Sequence, residues 1–222
     1  MKDFLKKLCY ALASILVAPL VVAERATRRI AGRPILFHAH AQFISIIPGR
    51  AGEFIRNAYY HFTLRRCPWD CALHMGTIFT DPETELGARM NTGLYCVIGR
   101  ATIGDCTMLS EGARILSGKL NHGISDPTIP FQDQAGVFER VTIGRNCWLG
   151  ANAVVMADLG ANCIVGAGTV VSRPFPNNKI VIGNPSRVVA ETYSPEAAKM
   201  VSHPSFRGAK SSSDAGVVDC DV

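Results

Sequence analysis

Aliphatic residues recur along the middle of the chain at Leu86, Ile98, Ile103, Leu109 and Ile115, then at Ile143, Leu149, Val155, Leu159, Val165 and Val171, with Thr92 filling the one gap. Most steps are six residues, a period that matches neither the 3.6-residue turn of a helix nor the two-residue alternation of a strand. It does match short strands alternating with turns. If each hexapeptide forms one flat side with its aliphatic residue inward, three sides close a triangular coil, and stacked coils bury their aliphatic columns. Eight of the twelve positions are followed directly by glycine (Gly87, Gly93, Gly99, Gly104, Gly144, Gly150, Gly160 and Gly166), where 20 glycines in 222 residues would place about one by chance. The expected role of these small residues is to tolerate the bend. The pattern predicts a mainly β chain, a parallel β-helix of hexapeptide repeats. The shorter steps, from Ile98 to Ile103 and from Val155 to Leu159, predict locally bent corners.

The repeat is interrupted between Ile115 and Ile143, 28 residues apart where six would continue the pattern. An inserted loop, residues 117–142, is therefore expected at one corner, and long loops in compact domains are commonly functional. Ile124, Ile129, Phe131, Val137 and Phe138 make it too apolar for a solvated tether, so it is expected to pack on another surface. It carries His122, followed by Asp126, Pro127, Pro130, Gly136 and Arg140.

The stretches IGDCTMLSEGARI, IGRNCWLGANAVV, IVGAGTVVSRPFP and VIGNPSRVV resemble the hexapeptide-repeat acyltransferases over roughly residues 76–190. The loop's order of residues is similar to that of the galactoside, maltose and antibiotic acetyltransferases, and the chain likewise resembles polysaccharide O-acetyltransferases. This resemblance implies a left-handed β-helix, against the usual right-handed crossover. It also implies acetyl-CoA as acyl donor and a homotrimer with active sites between subunits. It implies His122 as the general base: a hydroxyl is a poor nucleophile until deprotonated, and an imidazole can accept the proton near neutral pH. Backbone N–H groups near Gly150 would stabilise the oxyanion. Trp148, Gly150, Ala151, Ala167 and Gly168 match groove-lining positions for coenzyme A, and Arg173 and Arg187 are expected to hold its phosphates.

Other chemistry fares less well. Gly166, Ala167 and Gly168 start like a dinucleotide fingerprint, but no third glycine follows. Cys67 and Cys71 are separated by three residues with no partner pair downstream, which disfavours zinc. The β-helix also hosts metal-dependent carbonic anhydrases, but the coils offer only His122 where three histidines are needed, so no metal is expected. His38, His40, His61 and His203 read as structural or interfacial, with His74 the one outside candidate for a second site.

Composition bounds the rest. With 48% hydrophobic residues the chain can bury one substantial core, and its net charge of +5 is mild. Much of the basic excess (Lys2, Lys6, Lys7, Arg25, Arg28, Arg29, Arg33, Arg50, Arg56, Arg65 and Arg66) flanks apolar segments, which points to a membrane surface rather than nucleic acid. The run LCYALASILVAPLVVA, residues 8–23, has a basic front. Sixteen residues containing Pro19 are short for a bilayer span, and the run also imitates a secretory signal. A helix in the cytosolic leaflet is preferred, because acetyl-CoA is cytosolic and the eight cysteines show no disulfide framework. Pro48 and Gly49 divide AQFISIIPGRAGEFIRNAYYHFTLRRC into two amphipathic pieces.

The expected organisation is an N-terminal helical, membrane-associating region (1–75), a β-helix acyltransferase domain (76–190) and a C-terminal segment (191–222) that is largely disordered. The expected function is an O-acetyltransferase at the cytoplasmic face of the inner (plasma) membrane that acts on a sugar or glycan, lipid-linked or exported. A soluble acetyltransferase for serine or a xenobiotic, and a non-catalytic β-helix scaffold, are the alternatives.

Overall fold

The computed structural model describes residues 2–201. Three helices come first: α1 (Lys2–Ala31), α2 (Ile35–Ser45) and α3 (Gly49–Thr63). The Pro48 break falls between the last two, as the sequence indicates. The apolar run of residues 8–23 is only the middle of α1, which continues through Pro19. The stretch Phe4–Ala31 is long and apolar enough, by length and composition, to cross a membrane. Its length comes from helix-forming residues beyond the apolar run, a propensity signal weaker than the hydropathy one. Ala13, Val17 and Val21 of α1 are buried, while Phe4, Leu5, Leu8, Leu12, Ile15, Leu16 and Val22 lie exposed.

α3 seats this collar on the first coil. Asn57 Nδ2 donates to the Cys71 carbonyl at 2.6 Å, and the Tyr60 ring meets Phe79 edge-on at 4.6 Å. Arg56, 1% exposed, donates to the carbonyls of Leu73 (2.8 Å), Ile44 (3.2 Å) and Ile47 (2.7 Å). It thereby satisfies the orphan acceptors at the C-terminus of α2, where a cation is also favoured by the helix dipole. Arg56→Ala removes the side-chain donor from the Leu73 and Ile47 carbonyls and leaves Ile44 O only the 3.4 Å bond from Ile47 N–H, while emptying a fully buried volume, and the expected cost is about 3–5 kcal/mol. Chemical denaturation will read this as a lower midpoint.

Short parallel strands then build three faces. Face 1 stacks Ala72–Leu73, Asn91–Thr92, Met108–Leu109, Trp148–Leu149, Ile164–Val165 and Lys179–Ile182. Face 2 stacks Ile78–Phe79, Val97–Ile98, Arg114–Ile115, Val154–Val155 and Val170–Val171. Face 3 stacks Glu85–Leu86, Ala101–Ile103 and Val141–Ile143, continued by bridges to Leu159 and Phe175. All twelve repeat positions, Thr92 included, are buried. The stack starts ahead of the boundary expected at residue 76: Arg66 already bridges Glu85 in parallel on face 3, and Leu73 occupies an inward position on face 1.

The corners explain the repeat. At the corners between faces 1 and 2 and between faces 3 and 1, the third residue after each inward one has positive φ. Asn146, Asn152, Asn162 and Asn178 are among them, as are Gly112 and Gly168. Asn and Gly are the residues that reach this conformation most easily. The three asparagines at the corner between faces 3 and 1 also form a ladder, Asn146 to Asn162 to Asn178, at 3.0 Å per step. Both corners hold a six-residue step in every coil. Every irregular step, including the inserted loop, falls at the remaining corner, between faces 2 and 3. The glycines after the inward residues serve a purpose other than bending: a Cβ on Gly144 would lie 2.3 Å from the Ala161 nitrogen of the next coil. Their absent side chain lets successive coils approach to hydrogen-bonding distance.

The far end is closed by Arg187–Glu191, which pairs antiparallel with Lys179–Ile182. The chain then returns through Thr192, whose N–H donates to the Asn178 carbonyl at 3.0 Å, into α4 (Pro195–Val201). The described part of the segment from residue 191 is therefore structured, contrary to the expectation of disorder, because its backbone pairs with the last coil. The remainder of that segment and His203 lie outside the described residues. A helix at one end and an antiparallel strand at the other cover the open edges of the stack, which would otherwise template association.

Candidate active site

The inserted loop is a built arm. Glu139 N–H donates to the Ser117 carbonyl (3.0 Å) and Val137 N–H to that of Leu120 (2.7 Å), so its two sides run against each other. The Gln134 amide donates to the carbonyls of Asp126 and Ile129 (2.7 and 2.8 Å), closing the tip. Thr128 donates to the Asp126 carboxylate from both its N–H and its hydroxyl, holding that carboxyl below the usual carboxylate range. Gly136 sits where a Cβ would strike the Asn121 carbonyl at 1.9 Å, so the returning side packs directly on the backbone that carries His122. At the base of the arm, Arg140 donates to Ala101 O and Thr102 Oγ1 on face 3 (3.3 and 3.2 Å). His122 is exposed, as are Leu120, Ile124, Phe131 (67%), Val137 and Phe138.

The expected coenzyme-binding residues, Arg173 apart, lie at other corners of the stack. Gly150 and Ala151 are stacked on Ala167 and Gly168 at the corner between faces 1 and 2, with Gly168 N–H donating to Ala151 O at 2.8 Å. Trp148 stands two residues earlier on the outer surface of face 1, 46% exposed, its indole N–H donating to Ser110 Oγ at 3.0 Å. The corner column ends at a cavity of about 610 Å³ bordered by Ser172, Arg173 and residues 183–187. No acidic residue lines it, while Arg173 and Arg187 both do. The Arg173 guanidinium lies 5.3 Å from the Phe175 ring centroid and donates to Ser186 O at 3.4 Å.

Thus the structure stacks Gly150 and Ala151 on Ala167 and Gly168, with Trp148 two residues earlier, and groups Arg173 with Arg187 at a separate cavity at the end of the stack. The arm that carries His122 leaves the stack at the corner between faces 2 and 3, one face away from the small-residue column and on the corner where Arg173 lies two coils later. One site feature had no counterpart in the sequence reading. A groove of about 530 Å³ lies on face 1 between Trp148, Ile164 and Ile180 and the returning segment of Tyr193 and α4. Tyr193 Oη accepts from Asn146 Nδ2 at 3.0 Å. The run of outward apolar residues one coil apart was the available signal, but nothing in the repeat announces the returning segment.

Three of the other described histidines are occupied, while His38 is exposed. His74 Nδ1 is hydrogen-bonded to Thr92 O on the next coil. His61 pairs with the Cys67 carbonyl (2.7 Å) and stacks on Trp69 (3.8 Å), and His40 meets the Tyr59 hydroxyl at 3.3 Å. The Cys67 thiol is pushed well above the usual thiol range by its hydrogen bond to Cys71 and by burial, which opposes the thiolate a zinc ion needs. Among the described residues no group of three or more His, Cys, Asp or Glu side chains is placed to hold a metal.

The family model described as hexapeptide repeat of succinyl-transferase matches residues 140–173. No curated protein sequence matches the chain significantly. Among solved structures, a galactoside acetyltransferase in complex with coenzyme A is similar with a TM-score of 0.57 at 17% identity, over 69% of this chain and 80% of that one. A maltose O-acetyltransferase from Clostridium difficile 630 gives 0.56 at 18% identity, over 72% and 88%. A hexapeptide-repeat-containing acetyltransferase from Vibrio cholerae gives 0.55 at 18% identity, over 71% and 92%. The parallel three-faced stack fits the left-handed β-helix, and this chain carries the hexapeptide repeat in the fold that those acetyltransferases share.

Proposed function

We propose that this protein is a membrane-associated O-acetyltransferase that moves an acetyl group from acetyl-CoA to a sugar hydroxyl of a lipid-linked or exported glycan. The observation that carries this is the corner column of Gly150, Ala151, Ala167 and Gly168, which leads to a cavity with two arginines and no acid. A narrow track of small residues suits a pantetheine arm, and paired guanidinium groups suit its phosphates. The similarity in fold to acetyltransferases acting on maltose and galactosides supports the sugar acceptor.

In this reading His122 takes the proton from the acceptor hydroxyl, the oxygen attacks the thioester carbonyl, and the coenzyme A thiolate leaves and receives that proton. His122 stands on an arm at one corner and the coenzyme track runs along another, so the site is completed between chains. The exposed apolar side chains of the arm then bury against the neighbouring subunit in a closed three-fold ring. Light scattering in detergent, corrected for the micelle, is expected to give three chains; a fully active monomer would rule out the shared site.

The exposed side of α1 supplies the membrane contact. No residue between Lys7 and Glu24 is charged, and basic residues stand at both ends. Its other side packs along α3, which carries Arg50, Glu53 and Asn57, so α1 lies at the surface alongside a polar-bearing helix rather than crossing alone. Facing the cytoplasm, it meets the compartment that holds acetyl-CoA. Replacing Leu12 and Leu16 with Glu leaves Ala13, Val17 and Val21 in place, and each change removes about 2 kcal/mol of apolar burial. The variant is expected to shift from the membrane pellet to the soluble fraction.

The function itself is tested by mass spectrometry of glycolipids and exported polysaccharide from cells with and without the protein. A loss of about 42 mass units per acetyl group from either pool is expected; identical glycans would overturn the reading.

A further inference from the structure

Beyond the coenzyme track, the collar contains a continuous trough between α1, α3 and the first coil. One end is an apolar groove of about 230 Å³ formed by Leu12, Ala13, Leu16, Ala51 and Ile55. Cys9 and Phe54 continue it into a cavity of about 460 Å³ that holds Lys6, Tyr10, Arg50 and Glu53 and reaches Ala72 on the first coil. Lys6, Tyr10 and Asp70 connect that cavity to a third, of about 520 Å³, with Lys7 and Trp69. The trough therefore changes along its length from hydrocarbon to cations and aromatic rings. Tyr10 packs edge-on against Phe54 at 4.8 Å and at a tilt against Trp69 at 5.0 Å, with Lys6 Nζ 6.0 Å from its ring centroid. Burial, with Glu53 adding to it, pushes the Tyr10 phenol up to about 12, keeping it a neutral hydrogen-bond donor. Of the two acids, Glu53 is paired with Arg50 at 3.2 Å, which leaves Asp70 against Lys6 and Lys7.

We propose that this trough binds a single-chain lipid phosphate or diphosphate carrying a glycan, the anchored acceptor of the acetyl group. The proposal rests on the acetyltransferase reading above and identifies its substrate class. Three observations select this occupant. The apolar groove is narrow, suited to one hydrocarbon chain, and it lies beside the exposed apolar side of α1, where the rest of a long chain would enter the bilayer. The cations and aromatic rings sit at the groove's end, where a phosphate at the membrane boundary would lie. The middle cavity, with Lys6, Tyr10 and Arg50, reaches Ala72, the first residue of an outward column on face 1 that continues in register through Asn91 and Met108 to Trp148. At one strand spacing per coil that path is roughly 14 Å long. It ends next to Gly150, so a glycan attached to the held phosphate lies along the face that leads to the coenzyme track.

The test uses the full chain in detergent and measures binding of farnesyl diphosphate, a short single-chain lipid diphosphate. Farnesol and inorganic diphosphate are each expected to bind at least tenfold more weakly, since each lacks one half of the ligand. Lys6→Gln with Lys7→Gln, and separately Ala51→Trp, which fills the apolar groove from an exposed position, are each expected to weaken farnesyl diphosphate at least tenfold. Neither should change coenzyme A binding at the far end of the stack. Inorganic diphosphate binding as tightly as the lipid would reduce the site to a plain anion site and overturn the proposal. So would indifference to Ala51→Trp, or equal competition by phosphatidylglycerol vesicles, which would indicate general docking on anionic lipid. If farnesyl diphosphate binds as expected and no acetyl group leaves acetyl-CoA, the enzyme reading fails while the lipid site stands; transfer to a soluble sugar without lipid binding gives the reverse.

Discussion

His122→Ala is expected to lower acetyl transfer by about 10²- to 10⁴-fold, the range for removing a general base, with coenzyme A affinity nearly unchanged. The imidazole would meet the reacting oxygen and the thioester, whereas the coenzyme's phosphates would rest at Arg173 and Arg187 beyond the last full coil. The arm keeps its shape in the variant, because its hydrogen bonds run through the backbone and through Gln134 and Asp126 rather than through the histidine. A loss of turnover without loss of thermal stability or of the oligomer therefore isolates the chemistry. Arg187→Ala should behave in the opposite way, weakening coenzyme A by about 1–3 kcal/mol while the bound coenzyme still reacts. Wild-type turnover in a folded His122→Ala protein would sink the assignment.

Gly144→Ala is expected to destabilise the fold by about 3 kcal/mol or more. The added Cβ would lie 2.3 Å from Ala161 N and 2.6 Å from its Cα, backbone atoms that cannot move aside without separating two coils. Gly168→Ala makes the contrast: its φ is +67° and nothing lies within 4 Å of the added carbon, so only left-handed strain of about 1–2 kcal/mol remains. Denaturant midpoints for the two variants separate close approach from backbone conformation as reasons for glycine. Equal and small losses would show that the coils tolerate spreading.

The two substitutions bear on what could be read in advance. Gly144 was conspicuous because eight glycines share its place in the repeat, yet its reason, contact with the following coil, is visible only once Ala161 is seen beside it. His122 stood out because its loop breaks a strict period. That the break falls at the corner where every irregular step collects follows from the pattern of positive φ: the two regular corners require their third residue in a left-handed turn, and the remaining corner carries no such requirement.

Burial was what the sequence determined by itself. A residue that must face the axis of a triangular stack has to be aliphatic or small, so Leu86, Ile103, Leu149, Val165 and their companions announce the coil, its period and its interruption. Contacts between segments remote in sequence were decided only by the tertiary structure. Arg56 looked like one more cation near a membrane, yet its guanidinium lies buried against carbonyls of α2 and the first coil. Tyr193 and α4 sit in a segment without periodicity, yet hydrogen bonds to Asn146 and Asn178 lay that segment along face 1. Lys6, Tyr10, Arg50 and Trp69 are scattered over more than sixty residues and meet in one trough because α1 doubles back along α3. Periodicity reports how each residue meets the core of its own element, and it is silent on which distant element will satisfy a polar group or share a cavity.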